Sequence, residues 1–115
     1  MIPKKYRLRE REVAKVLRKG KPFFSHNIVA NFVPNKLPHH RFAIVLGAKN
    51  VINNVERNTL RRRYYDITSQ YLDEIDQGFD IVCVCKKKSK FFPKQDESLK
   101  AFQNDIRFLL KKLME

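Results

Sequence analysis

Three groups of side chains in this sequence could do chemistry. The first is histidine: His26, His39 and His40 are the only ones in 115 residues. A His–His–Lys set can move protons in RNA cleavage, but the adjacent pair lies in the turn-rich PNKLPHH, and a stand-alone ribonuclease is the weakest reading. The acids are scattered, without the spacing of a metal nuclease. The second group is Cys83 and Cys85 in FDIVCVC. Two residues apart on a strand they share a face, in a run apolar on both faces. No second cysteine pair or spaced histidine pair completes a metal set. They read as buried structural thiols, and with no secretion signal the expected compartment is a reducing cytoplasm.

The third group is richer. Residues 53–66 read NNVERNTLRRRYYD, a polar opening followed by helical apolar spacing. Residues 55–65 carry four arginines and one glutamate, while 66–77 carry Asp66, Asp73, Glu74 and Asp76 and no base. The helix macrodipole favours the opposite arrangement, by about 0.3–1 kcal/mol per exposed charge. Around the helix axis Asn54, Arg57, Asn58, Arg61, Arg62 and Tyr65 fall on one flank; Glu56, Thr59, Arg63 and Asp66 fall on the other. Free N–H groups at a helix N-terminus and arginine forks both attract phosphate. Tyr65 is placed to stack on a base or ribose. The alternative is a solvated basic face, and the inverted charge pattern favours the site.

Such a site needs elements to hold it. Val13, Val16 and Leu17 give a short helix over residues 9–19 one narrow apolar stripe, with Gly20 as its candidate C-cap. FFSHNIVANFV (23–33), which can contain two pieces, and RFAIVLG (41–47) read as strands. Leu60, Tyr64, Ile67, Tyr71 and Ile75 form the buried face of a helix over 54–76, capped by Asn53 or Asn54 and ended by Gly78. FDIVCVC is a central strand, and a last helix runs from about Asp96 to Met114. The order α-β-(β)-β-α-β-α predicts an α/β (α+β) two-layer sandwich: a sheet of about four strands with helices packed on it, in a single domain over residues 1–115.

The totals point the same way. Twenty-five Lys and Arg against 12 Asp and Glu leave a formal charge of +13. That excess repels itself and predicts a polyanionic partner, nucleic acid rather than a membrane. No segment reaches a membrane-spanning length. Two further basic clusters flank the arginine helix. Residues 4–21 hold nine bases, and 86–94 hold five lysines interleaved with Phe91 and Phe92. Bases beside aromatics suit single-stranded RNA, although at least one of these two phenylalanines is expected to anchor the core.

Taken together, AKNVINNVERNTLRRRYYD resembles the signature of the bacterial ribonuclease P protein component. RFAIVLGAKN is similar to the strand and turn before that signature, and GFDIVCVCKKK to the strand after it. The resemblance runs from YRLREREVAKVLRKG to LLKKL. It implies the small protein subunit of a ribonucleoprotein that removes 5′ leaders from precursor tRNA, monomeric within it. The catalytic RNA would carry the active site with Mg²⁺, and no catalytic residue or metal ligand is expected on this chain. The resemblance also implies a left-handed crossover, which the right-handed rule for such connections would not suggest.

Carried over by position, Lys49, Asn50, Asn54, Arg57, Asn58, Arg61 and Arg62 fall on the RNA-binding signature, beside Tyr65. Arg9, Val13, Leu17, Lys86 and Lys88 become candidates for a leader cleft between the first helix and the sheet. The chain departs from the family pattern at Thr59 and Ala48, where Arg and Lys are usual. Val13 and Leu17 stand where aromatics are common. A purely architectural RNA-binding protein has the same composition; only the order of the motifs separates the two readings.

Overall fold

Strand β4 (Phe79–Cys85) is the hub of the fold because its sequence is apolar on both faces: Ile81, Val82 and Cys83 are fully buried. The computed structural model describes residues 2–47, 49–51 and 53–114. In it β4 pairs antiparallel with β2 (Ile28–Pro34) and parallel with β3 (Arg41–Val45). The short strand β1 (Lys21–Phe24) pairs antiparallel with β2, giving the order β1-β2-β4-β3. Helix α1 (Glu10–Lys19) precedes the sheet, α2 (Asn54–Thr68) joins β3 to β4, and α3 (Asp96–Leu113) closes the chain.

The two sheet faces are covered unequally. Ile28, Ala30, Phe42, Ile44, Ile81, Cys83 and Cys85 pack against Leu60, Tyr64 and Ile67 of α2 and Phe102, Ile106, Leu109 and Leu110 of α3. On the opposite face α1 contributes the buried Val16, set against Ala43 and Val82. The expected two-layer sandwich is the α2/α3 side; α1 adds a partial third layer. A charged chain fixes it there. Arg41 donates from Nη1 to Glu12 of α1 at 2.5 Å and from Nε and Nη2 to the two oxygens of buried Asp80 at 2.8 and 2.7 Å. The bond to Asp80 is the main reason the Arg41 pKa is raised. Both cysteines are buried and free, and burial pushes each thiol up to about 12, so neither is poised to react.

Three sequence expectations need correction or refinement. Helix α2 stops at Thr68, followed by one 3-10 turn at Ser69–Tyr71, rather than reaching 76. The hydroxyls of Thr68 and Ser69 bond back to the carbonyls of Tyr65 and Asp66. Beyond them the backbone pairs with the β2–β3 connection, where the Ile75 N–H donates to the Pro38 carbonyl at 3.0 Å. Ile75 therefore leaves the helical face it was assigned to. Gly78 is not a helix stop: its N–H donates to the Leu37 carbonyl, and a Cβ there would lie 1.9 Å from the His39 carbonyl oxygen. Gly20 does end α1, in an extended conformation (φ −74°). A Cβ at Gly20 would sit 2.5 Å from the Val16 carbonyl oxygen, so close approach, and not left-handed geometry, requires glycine.

His40 turns the same region into a pH-sensitive contact. Its Nδ1 accepts the Phe79 N–H at 3.0 Å, and its ring stacks on Phe79. Burial, then the neighbouring His39, lowers its pKa below 6.5. The unfolded chain therefore binds the proton first, and stability falls as pH drops from about 6.5 towards the folded pKa. Urea unfolding between pH 7 and 5 should show that loss. His40→Asn, which keeps an acceptor without a charge, should flatten the profile; an unchanged slope would remove His40 as its source.

Candidate nucleic-acid interface

At its start α2 is capped as the sequence suggested, by Asn53, whose side chain accepts the Glu56 N–H at 2.8 Å. The arginines then divide. Arg57 turns back to the preceding loop, donating to the Val51 carbonyl at 2.9 Å and to Asn54 Oδ1. Arg61 donates to Asn58 Oδ1 at 3.1 Å, while Arg62 is exposed. Each asparagine oxygen is taken by an arginine, so the amide N–H groups of Asn54 and Asn58 are left for an external acceptor. The outward flank is therefore a set of donors and positive charges at the positive end of a helix dipole.

Asn50 belongs to the scaffold instead. It is 6% exposed. Its Nδ2 donates to the carbonyls of Lys86 and Ser89 at 2.7 and 2.6 Å, its Oδ1 accepts the Gly47 N–H at 3.1 Å, and its carbonyl accepts the Phe91 N–H. Both donors of the Asn50 side chain, which the sequence reading gave to RNA, are therefore used inside the fold, although the residue itself lines the basic loop hollow. Asn50 ties the loop before α2 to the loop after β4. Lys49, Lys87, Lys88 and Lys90 consequently line one hollow of about 450 Å³ with Phe91 and Phe92. Phe91 is a core anchor, packed edge-to-face on Phe102, and Phe92 stays exposed. Ala48 lies outside the described residues.

A second surface is apolar. Leu8, Val13 and Leu17 from the α1 side, Val45 from β3, and Arg61 and Tyr65 from α2 line a groove of about 430 Å³. Val13 and Leu17 thus face the cleft, Leu17 with 43% exposure. Burial raises the pKa of the Tyr65 hydroxyl, with Arg7 and Arg61 opposing the shift, so it remains a neutral donor at pH 7. The strand register continues this surface across the sheet. Phe24 faces Val29, Val29 faces Val84, and Val84 faces Val45, one cross-strand row that α1 does not bury. Phe24 is 64% exposed, at the far end of that row. Sequence reasoning missed it, because the row exists only once the pairing register is known.

Of the other three cleft candidates, Lys86 stands at the Phe24 end of that row and two line other hollows. Arg9 lines a separate hollow with Lys4, Lys5 and Arg11. Lys86 reaches the β1–β2 turn, donating to the Ser25 carbonyl at 2.7 Å with Phe24 beneath it. Lys88 joins Lys49 in the loop hollow. Helix periodicity put Val13 and Leu17 on one stripe of α1, whereas nothing in a run of lysines says which way each one turns. Among the described residues no helix is long and apolar enough to cross a membrane. Nor do three His, Cys, Asp or Glu side chains there converge as a metal set.

Known proteins resemble this chain in sequence and in fold. A family model described as Ribonuclease P matches residues 2–114. A ribonuclease P protein component from Petrotoga mobilis is 33% identical over 112 residues, covering 96% of this chain and 92% of its own. The solved Staphylococcus aureus RNase P protein has a TM-score of 0.72 at 22% identity over 94% of both chains, a likeness of fold. The RNase P protein from Thermotoga maritima reaches 0.69 at 25% identity, covering 92% of this chain and 96% of that one.

Proposed function

Because this chain belongs to the ribonuclease P family, we propose that it is the accessory protein subunit of a bacterial ribonuclease P, acting in the cytoplasm as one copy per ribonucleoprotein. It binds the catalytic RNA and the 5′ leader of precursor tRNA and promotes endonucleolytic removal of that leader. The flank of α2 (Asn54, Asn58, Arg61, Arg62) with Lys49 grips phosphates of the catalytic RNA. The groove under Val13, Leu17 and Tyr65 receives the leader, whose bases lie on the apolar row while its phosphates stay at the rim. The observation that carries this reading is Arg61, which stands on the phosphate-binding flank and also lines the groove. Two RNA segments bound there are held side by side.

Mg²⁺ bound to the RNA would supply the activated water and stabilise the leaving oxygen. The protein's own contribution is positioning and charge neutralisation. Holding the leader fixed converts part of the binding energy into orientation at the scissile bond, and the positive surface lowers the Mg²⁺ the RNA needs by screening phosphate repulsion.

The test is reconstitution with a bacterial ribonuclease P RNA. The protein alone should leave precursor tRNA intact, and adding it should stimulate cleavage when Mg²⁺ is limiting. Leu17→Phe, which extends the stacking surface at an exposed position, should tighten binding of substrates with a leader but not of mature tRNA. Robust cleavage by RNA-free protein, or no stimulation with several partner RNAs, would overturn the assignment.

A further inference from the structure

The side of α1 away from the groove carries charge that neither surface above uses. Lys4, Lys5, Arg9 and Arg11 line a hollow of about 600 Å³ that ends at Arg41. Arg41 also lines the next hollow, about 400 Å³, with Lys15, Lys19 and Lys36. The two hollows therefore adjoin at Arg41, and side by side they make a basic track. Among the described residues that line it the acids are Glu12 and Asp80, and Arg41 is paired with both. None of the described lining residues sets a further acid against the lysines named above, or against Arg9 and Arg11.

Local sequence preference does not explain this. Arg11, Lys15 and Lys19 stand at i, i+4 and i+8, a ridge of like charges along α1 that weakens the helix. Lys36 holds a left-handed backbone (φ 62°) at the edge of the second hollow, a conformation favouring glycine or asparagine. Both departures from local preference place a positive charge on the track.

We infer that this track is a second RNA-binding surface, one that takes the sugar–phosphate backbone of a base-paired segment. Its lining separates it from the other two. The loop hollow offers the exposed Phe92, and the groove offers Tyr65, so both can stack on unpaired bases. No aromatic side chain lines either hollow of the track, and its donors are long, mobile cations. Such a surface neutralises phosphates and reads no base, and in double-stranded RNA the bases are already stacked inside. The bound protein then has contacts on both sides of α1, unpaired RNA on one and a helical stem on the other.

Duplex binding here needs neither the catalytic RNA nor the groove, so its test is independent of the function proposed above. The probes are a blunt 20-base-pair RNA and a ten-nucleotide single strand, titrated against the full-length protein over a salt series. The variant Lys15→Ala/Lys19→Ala/Lys36→Asn removes three exposed charges; asparagine is chosen for the left-handed position. The control Lys100→Ala/Lys111→Ala/Lys112→Ala removes the same charge from α3. The track variant should lose roughly tenfold in duplex affinity near 0.1 M salt, with the log–log salt slope shallower by about one per contact removed. Its single-strand affinity should stay within about twofold of the parent, and the control should bind the duplex like the parent. Melting curves on all three proteins confirm that each is folded. No duplex binding by the parent overturns the inference. Equal losses in variant and control, or equal losses on both probes, would mean net charge and not a site.

Discussion

Asn50→Asp should destabilise the protein more than Asn50→Ala, even though aspartate is the closer match in shape. The Asn50 amide donates to two carbonyl oxygens, of Lys86 and Ser89. Alanine leaves those carbonyls and the Gly47 N–H without their partner, at about 2–3 kcal/mol once partial access of water is allowed for. Aspartate keeps the acceptor for Gly47 but turns a second oxygen, and a charge, onto the two carbonyls. A charge turned onto two carbonyls at a site 6% exposed costs about 3–5 kcal/mol, nearer the lower figure because lysines line the adjoining hollow. The aspartate pKa in the folded variant must then lie above its unfolded value of about 3.9. The penalty is complete above the folded pKa and is relieved as pH falls through it, because the protonated carboxyl regains one donor. Urea unfolding of both variants at pH 7 and pH 5 checks the order and the pH trend. Parent-like stability with weak RNA binding would return Asn50 to the contact surface.

Arg61→Ala/Arg62→Ala should do the reverse, sparing the fold and impairing RNA binding. Arg62 is exposed, and Arg61 donates to Asn58 on the same helix. Alanine is the better helix former, and removing two charges near the positive end of the dipole, beside Arg63, relieves repulsion. Thermal stability should hold or rise slightly. Two charge-assisted contacts to phosphate, at about 1.5–3 kcal/mol each, correspond to a loss of about 10²- to 10⁴-fold in affinity for the catalytic RNA, with a shallower salt slope. Leu60→Ala, at a fully buried position, is the opposite control and should cost about 2–5 kcal/mol of stability. A double variant that melts far below the parent yet binds RNA normally would make these arginines structural.

Much of this was readable before any coordinates, for a physical reason in each case. A strand apolar on both faces has to be interior, and β4 is. An asparagine ahead of a helical pattern caps it, and Asn53 does. What failed depended on partners distant in sequence. Ile75 continues the spacing of α2 by coincidence, because its backbone N–H pairs with Pro38. Asn50 looks like a phosphate contact in a basic stretch, and only the loop after β4 reveals it as a clamp. The apolar row from Phe24 to Val45 joins three segments of chain that periodicity within any one of them cannot align.

The strand order also bears on how the protein is made. β4 lies between β2 and β3 but is synthesised after both. Until residue 85 has left the ribosome, β2 and β3 have no shared neighbour, and a nascent chain ending before β4 offers only the β1–β2 hairpin, which is marginal on its own. α1 and the arginine helix emerge during that interval without the sheet they pack on. The central strand then closes non-local pairings on two sides at once, and those contacts are slow to form. Folding is thereby deferred until β4 is available, and the positively charged segments are exposed before the architecture that orders them exists.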